Sequence, residues 1–140
     1  MESQEPSLVA VIEDDRALRE AIESLLGSAG FAATGFESAE EFLCCAGDPC
    51  CVIVDWRLPR MSGLDMLQRL RAARNPVPAI VMSARDEEAR QAAHHLQDVM
   101  GAVAFLRKPF QGEVLLQLVR AVADGTWTRT VKWRRGTSSP

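Results

Sequence analysis

The 140-residue chain is 47% hydrophobic and 25% charged, the balance of a single ordinary globular domain. No apolar run nears the roughly 20 residues needed to cross a bilayer, and the start Met-Glu-Ser-Gln-Glu-Pro is too acidic for a secretory signal, so the chain reads as cytoplasmic with no membrane partner. Residues 1–125 hold all 19 acids and 12 of the 16 basic residues, leaving −7, while Arg129, Lys132, Arg134 and Arg135 give residues 126–140 a charge of +4; an acidic body argues against direct nucleic-acid binding by the folded part.

Leu8–Ile12 is an apolar run that predicts a buried strand. Leu18, Ile22, Leu25 and Ala29 then recur as one face of a helix, which Gly30 stops. A weaker strand, interrupted by Ala and Gly, is expected over 31–36. Ser38-Ala39-Glu40-Glu41 is a capping box that starts a short helix. The pairs Cys44-Cys45 and Cys50-Cys51 lack zinc-site spacing. They read as reduced, small apolar residues, with a redox switch as the alternative.

Cys51–Asp55 is β-branched through its middle, as a strand buried on both faces would be. It ends on a carboxylate, and Pro59 soon after cannot continue a central strand. A helix over 63–74 turns Leu64, Leu67 and Leu70 inward. Asn75-Pro76-Val77-Pro78 leads into the strand Ala79–Ser83. Asp86 or a neighbour caps a helix with the inner face Ala89, Ala92, Ala93, Leu96 and Val99. His94 and His95 on that helix lie roughly 100° apart and are given no metal role. The last strand is expected over 102–106. Leu115, Leu118, Val119 and Val122 form the stripe of a final helix ending at Gly125. Residues 126–140, with Trp127 and Trp133 among the basic residues, read as a poorly ordered tail; contact with a partner, anionic lipid or nucleic acid is the alternative.

Five strand–helix units predict an α/β fold: a flavodoxin-like, doubly wound, five-stranded parallel sheet in the order 2-1-3-4-5 with five helices. Ligands of such sheets bind at the carboxyl ends of the strands. Those ends carry Glu13-Asp14-Asp15, Asp55, Ser83-Ala84 and Lys108-Pro109-Phe110. Two like charges at 4 Å repel by roughly 4 kcal/mol at an effective dielectric of 20, so these carboxylates need a cation. An all-oxygen donor set is hard, which favours Mg2+.

These residues resemble the receiver domain of two-component response regulators. The resemblance is carried by Val11-Ile12-Glu13-Asp14-Asp15, by Asp55 through Leu64, by Ser83-Ala84 and by Phe105-Leu106-Arg107-Lys108-Pro109-Phe110. It makes residues 1–125 the receiver. It implies that Asp55 accepts a phosphoryl group from a sensor histidine kinase or phosphotransfer protein, that Asp14 ligates Mg2+ directly, that Glu13 acts through water and that the Arg57 carbonyl is a further ligand. Counting back from Arg19, the basic residue usual in the first helix, selects Glu13-Asp14 as the acidic pair and leaves Asp15 as a helix N-cap. Lys108 would neutralise phosphoryl charge, with Pro109 cis as in the family. Ser83 and Phe105 resemble the switch pair: the hydroxyl would turn toward phosphate and Phe105 from exposed to buried, changing the surface seen by a downstream protein target or a homodimer partner. Serine lacks threonine's methyl, which loosens the steric link to Phe105. The chain is also longer than common members between Ser83 and Lys108, around the helix that helps form their signalling face.

Val-Ile-Glu-Asp-Asp-Arg-Ala-Leu-Arg-Glu is similar to regulators of nitrogen-fixation and nodulation type, many of which carry a DNA-binding domain. The 15 residues after Gly125 are too few for one, so the sequence is read as a stand-alone receiver or as the receiver fragment of a larger transcriptional regulator. A haloacid-dehalogenase-type phosphatase also uses a strand-end aspartyl phosphate. It needs an acid two residues after the nucleophile, where this chain has Arg57. A degenerate, unphosphorylated receiver is disfavoured, because no expected acid or lysine is missing.

Overall fold

The computed structural model describes residues 7–45, 47–87, 91, 103–123 and 131–134. Its elements run β1 (Leu8–Ile12), α1 (Arg16–Ser28), β2 (Ala32–Phe36), α2 (Ala39–Leu43), β3 (Cys51–Asp55), α3 (Gly63–Ala72), β4 (Ala79–Ser83), β5 (Val103–Arg107), α4 (Gly112–Ala123) and β6 (Val131–Arg134). The strand order is β2-β1-β3-β4-β5-β6, with every neighbouring pair parallel. The expected order 2-1-3-4-5 is therefore present, and a sixth strand extends it. That strand corrects the reading of the whole tail as poorly ordered. Val-Lys-Trp-Arg alternates apolar and cationic residues as a guarded edge strand does, but four residues are a weak signal beside a run of basic charge.

The helix expected between β4 and β5 lies mostly outside the described residues, as do His94 and His95; Asp86, Glu87 and Gln91 are helical. Among the described residues no helix is long and apolar enough to cross a membrane.

Strand alternation divides the core in two. Val52 and Val54 of β3 face the cluster that contains Phe42, Met66 and Leu67 of α2 and α3. Cys51 and Ile53 face the cluster that contains Ile22 and Leu26 of α1 and Leu115 and Val119 of α4. Both faces of the central strands are thus covered, which is why β3 and β4 are apolar without alternation. The helices start where the sequence supplies caps: Asp15 Oδ1 accepts from the Leu18 N–H at 3.2 Å, and Ser38 Oγ accepts from the Glu41 N–H at 3.1 Å. Glu41 reaches one residue further back than a capping box requires, to the Glu37 N–H at 3.0 Å. Gly30, at φ 94, closes α1 with its N–H on the Gly27 carbonyl and the Phe31 N–H on the Leu26 carbonyl, the paired bonds of a Schellman ending.

Register brings the strand ends together. Ile12 pairs with Val54, Asp55 with Met82, and Ser83 with Arg107. Glu13, Asp55, Ser83 and Lys108 therefore emerge within one residue of the same level at the carboxyl edge.

Candidate functional site

Asp55 is the last residue of β3 and only 7% exposed. The Trp56 N–H donates to the Met82 carbonyl at 2.8 Å, so the sheet holds the chain one residue past the carboxylate. The chain then loops back, with Arg60 at φ 68, until the Gly63 N–H meets the Trp56 carbonyl at 3.0 Å. A Cβ on Gly63 would run into the Asp55 carbonyl oxygen, so this close return requires glycine.

Glu13 follows β1 and is 1% exposed. Its backbone N–H donates to the Phe36 carbonyl at 3.0 Å. Its carboxylate accepts from the Asp15 N–H at 3.1 Å and from Lys108 Nζ at 3.0 Å. Asp14, the next residue, is exposed, yet carboxylate oxygens of Glu13, Asp14 and Asp55 lie within 4.8 Å of one another. Lys108 Nζ is also 3.2 Å from Asp55 Oδ1. The lysine is fixed at its other end by its N–H on the Ser83 carbonyl at 2.8 Å, and the Lys108–Pro109 peptide is cis, as expected.

The electrostatics follow from this packing. Burial raises the Asp55 carboxyl above its ordinary value of 3.8, opposed by the Lys108 ammonium and by the Arg57 N–H bonded to it. Burial likewise raises Glu13 against the Asp15 N–H and Lys108. Burial alone would lower Lys108, but the bond to Glu13 and the charges of Asp55 and Glu13 carry it above its ordinary value. Three carboxylates around one ammonium leave negative charge in excess, held by hard oxygen donors. That donor set fits Mg2+.

Arg57 joins the cluster through its backbone N–H, whereas the resemblance assigned it a role through its carbonyl. Ser83, 1% exposed, donates its hydroxyl to the Arg85 carbonyl at 2.9 Å and accepts from the Arg85 N–H at 3.1 Å. Phe105 is 1% exposed and packed in the α2–α3 cluster. The implied swing had Phe105 exposed until the hydroxyl turned to phosphate. Here Phe105 is buried while Ser83 is bound to its own loop.

Sequence reasoning missed three contacts. Arg19, which set the register of the acidic pair, also donates its Nη1 to the Glu13 carbonyl at 2.8 Å. Arg107, the last residue of β5, reaches Asp86 Oδ1 at 3.1 Å and ties β5 to the chain after β4; no local pattern marks a pair so distant in sequence. The exclusion of a side chain at Gly63 depends on the fold of the loop. The four cysteines are free, and burial pushes the Cys51 thiol well above its ordinary range.

A cavity of about 260 Å³ is lined by Trp56 and Arg57, the two residues after Asp55, and by Arg85, Glu87 and Gln91. Two larger clefts, of about 600 and 550 Å³, run along α2 and α3, and of these only the second touches the acidic cluster, through Asp14.

Comparison with known proteins agrees with this geometry. Residues 9–120 match the response regulator receiver domain. The chain is 34% identical over 115 residues to the transcriptional regulatory protein FixJ of Bradyrhizobium diazoefficiens, covering 81% of this chain and 55% of that protein. It is 36% identical over 121 residues to the response regulator protein TodT of Pseudomonas putida, covering 85% and 52%. It thus spans about half the length of these curated relatives. A response regulator receiver protein from Pseudomonas putida superposes with a TM-score of 0.72 at 34% identity, covering 84% of this chain and 98% of that one. The Francisella response regulator 1452 receiver domain gives 0.75 at 25% identity, with 86% and 98% covered. With strand order, acidic cluster and sequence match in agreement, the chain belongs to the response regulator receiver domain family.

Proposed function

We propose that this receiver is phosphorylated on Asp55 in the cytoplasm by a sensor histidine kinase or phosphotransfer protein, with Mg2+, and that the modified surface engages a downstream protein target. The observation that carries the reading is the bridging ammonium of Lys108, 3.0 Å from Glu13 and 3.2 Å from Asp55, within a cluster of three carboxylates. An acidic cluster with two of its three carboxylates buried costs stability, and phosphoryl transfer onto Asp55 gives it a purpose.

In the proposed step an Asp55 oxygen attacks phosphorus and forms an acyl phosphate, while the bond from phosphorus to the donor nitrogen breaks and its electron pair stays with the leaving imidazole. Attack by water on phosphorus later returns the carboxylate and releases inorganic phosphate. Burial makes Asp55 more basic, hence a better nucleophile. Lys108 and the Arg57 N–H oppose that rise by favouring the carboxylate. An ammonium has three protons; Glu13 and Asp55 take two, and the third can meet a phosphoryl oxygen. Asp14 and Asp55, the Arg57 carbonyl and, through water, Glu13 would hold Mg2+, which supplies charge neutralisation for phosphoryl transfer. The chain would catalyse only its own phosphorylation and dephosphorylation.

Incubation with acetyl phosphate or phosphoramidate tests this. Intact-mass analysis should show one alkali-labile phosphoryl adduct with Mg2+, none with EDTA and none in Asp55→Asn. An adduct that persists in Asp55→Asn would sink the assignment.

A further inference from the structure

We propose that Arg19 is a positioning residue for the metal-binding acids, acting through the peptide that joins Glu13 to Asp14, with Gly35 keeping its path clear. The proposal rests on the reading of this cluster as a Mg2+-assisted phosphoacceptor site. Glu13 and Asp14 leave the backbone in different environments, one buried and one exposed, and their carboxylates must still converge with Asp55. The orientation of the peptide between them decides whether they do. On its N-terminal side Glu13 is tied to β2 by its N–H on the Phe36 carbonyl. On its C-terminal side β1 has ended, and the Glu13 carbonyl is held by the Arg19 guanidinium at 2.8 Å.

The arginine is itself anchored. Its N–H donates to the Asp15 carbonyl at 2.9 Å, in the first turn of α1, which Asp15 caps. The cap residue, the carbonyl clamp and the Asp15 N–H on the Glu13 carboxylate therefore form one loop of contacts around the acidic pair. The arginine stem passes over β2 at Gly35. A Cβ there would lie 2.9 Å from Arg19 Cδ and would also collide with the Glu23 carboxylate. Glu23 has a free end and can swing aside. The arginine stem is fixed at both ends, so an alanine at position 35 has to displace it.

The test measures Mg2+ affinity of the full chain by calorimetric titration of the metal alone, with urea midpoints in EDTA as a separate readout. Arg19→Met keeps the stem and removes the donor. It should weaken Mg2+ binding by roughly tenfold, the lower end of what losing a support of metal ligands costs. Gly35→Ala should weaken it in the same direction, and the double variant should lose little more than Arg19→Met, because both act through one contact. Arg19→Lys, which can still donate to the carbonyl, should recover most of the affinity. A purely structural role predicts lower urea midpoints with unchanged Mg2+ affinity, and that result overturns the proposal, as would full additivity of the two changes. A wild-type chain that binds no Mg2+ overturns the metal-site reading itself; a wild type that binds normally alongside an unaffected Arg19→Met removes only the role of Arg19.

Discussion

Asp55→Asn should make the metal-free protein more stable, although it abolishes the proposed chemistry. The magnitude follows from the cluster. A carboxylate pair at 4.8 Å, the outer limit of the oxygen separations here, repels by about 3.5 kcal/mol at an effective dielectric near 20. Asp55 has two such neighbours, but Asp14 is exposed and its share is screened to a fraction. Against this, Lys108 at 3.2 Å returns about 5 kcal/mol on the same scale. The charge terms nearly cancel, and burial of an incompletely satisfied polar group, on the order of 1–3 kcal/mol, decides the sign. The amide should gain about 1–2 kcal/mol over the carboxylate at neutral pH, within that range. Because the folded-state pKa of Asp55 is raised, the native state binds the proton more tightly than the unfolded state. Wild-type stability therefore falls as pH rises from the ordinary carboxylate value through the raised one, and the advantage of asparagine should appear across that window and vanish below it. Urea unfolding in EDTA at several pH values measures this directly. Saturating Mg2+ should reverse the order, since a metal at a hundred times its dissociation constant stabilises only the chain that binds it by about 2.7 kcal/mol. A less stable Asp55→Asn at neutral pH in EDTA, or an advantage that grows on acidification, would refute the reasoning.

Other changes separate the parts of the site. Lys108→Ala leaves Glu13, 1% exposed, without its cation, so urea unfolding at neutral pH in EDTA should show a loss of about 3 kcal/mol; acetyl-phosphate labelling should fall with it. Gly63→Ala forces a methyl against the Asp55 carbonyl, and should cost about 1–3 kcal/mol in the same unfolding assay while slowing labelling. Truncation after Gly125 removes β6 but none of the residues 13–108 that build the cluster, so the labelling rate should stay within about twofold, ordinary independence for distant sites; a large loss would mean that β6 shapes the site through β5.

The parallel order and the residues that meet at its carboxyl edge were legible because each depended on local signals: β-branched runs for strands, caps at Asp15 and Ser38, and polar or charged residues at the strand ends. Convergence of Glu13, Asp55 and Lys108 then followed from topology alone, since a parallel sheet delivers all its carboxyl ends to one edge. The contacts that set the site's detail were less accessible. The clamp of Arg19 on a backbone carbonyl carries no side-chain pattern, and the Arg107–Asp86 pair joins residues of separate elements. Strand β6 was hidden for a third reason: its four residues compete with a basic composition that, on propensity, resembles a tail.

The placement of Ser83 and Phe105 bears on how phosphorylation would be transmitted. Phe105 lies in the core while Ser83 is bonded to Arg85 in both directions. The free energy that a phosphoryl group supplies would then be spent first on breaking the Ser83–Arg85 contacts, which reshapes residues 83–86 rather than the ring. Those residues are tied to β5 twice, by the Lys108 N–H on the Ser83 carbonyl at 2.8 Å and by Arg107 on Asp86 at 3.1 Å. A ligand shifts an equilibrium only by its differential affinity for the two states, and turning the Ser83 hydroxyl toward phosphate would break its bonds to Arg85 in the segment after β4. Under the proposed function, that segment and the end of β5 would be part of the surface whose shape reports phosphorylation.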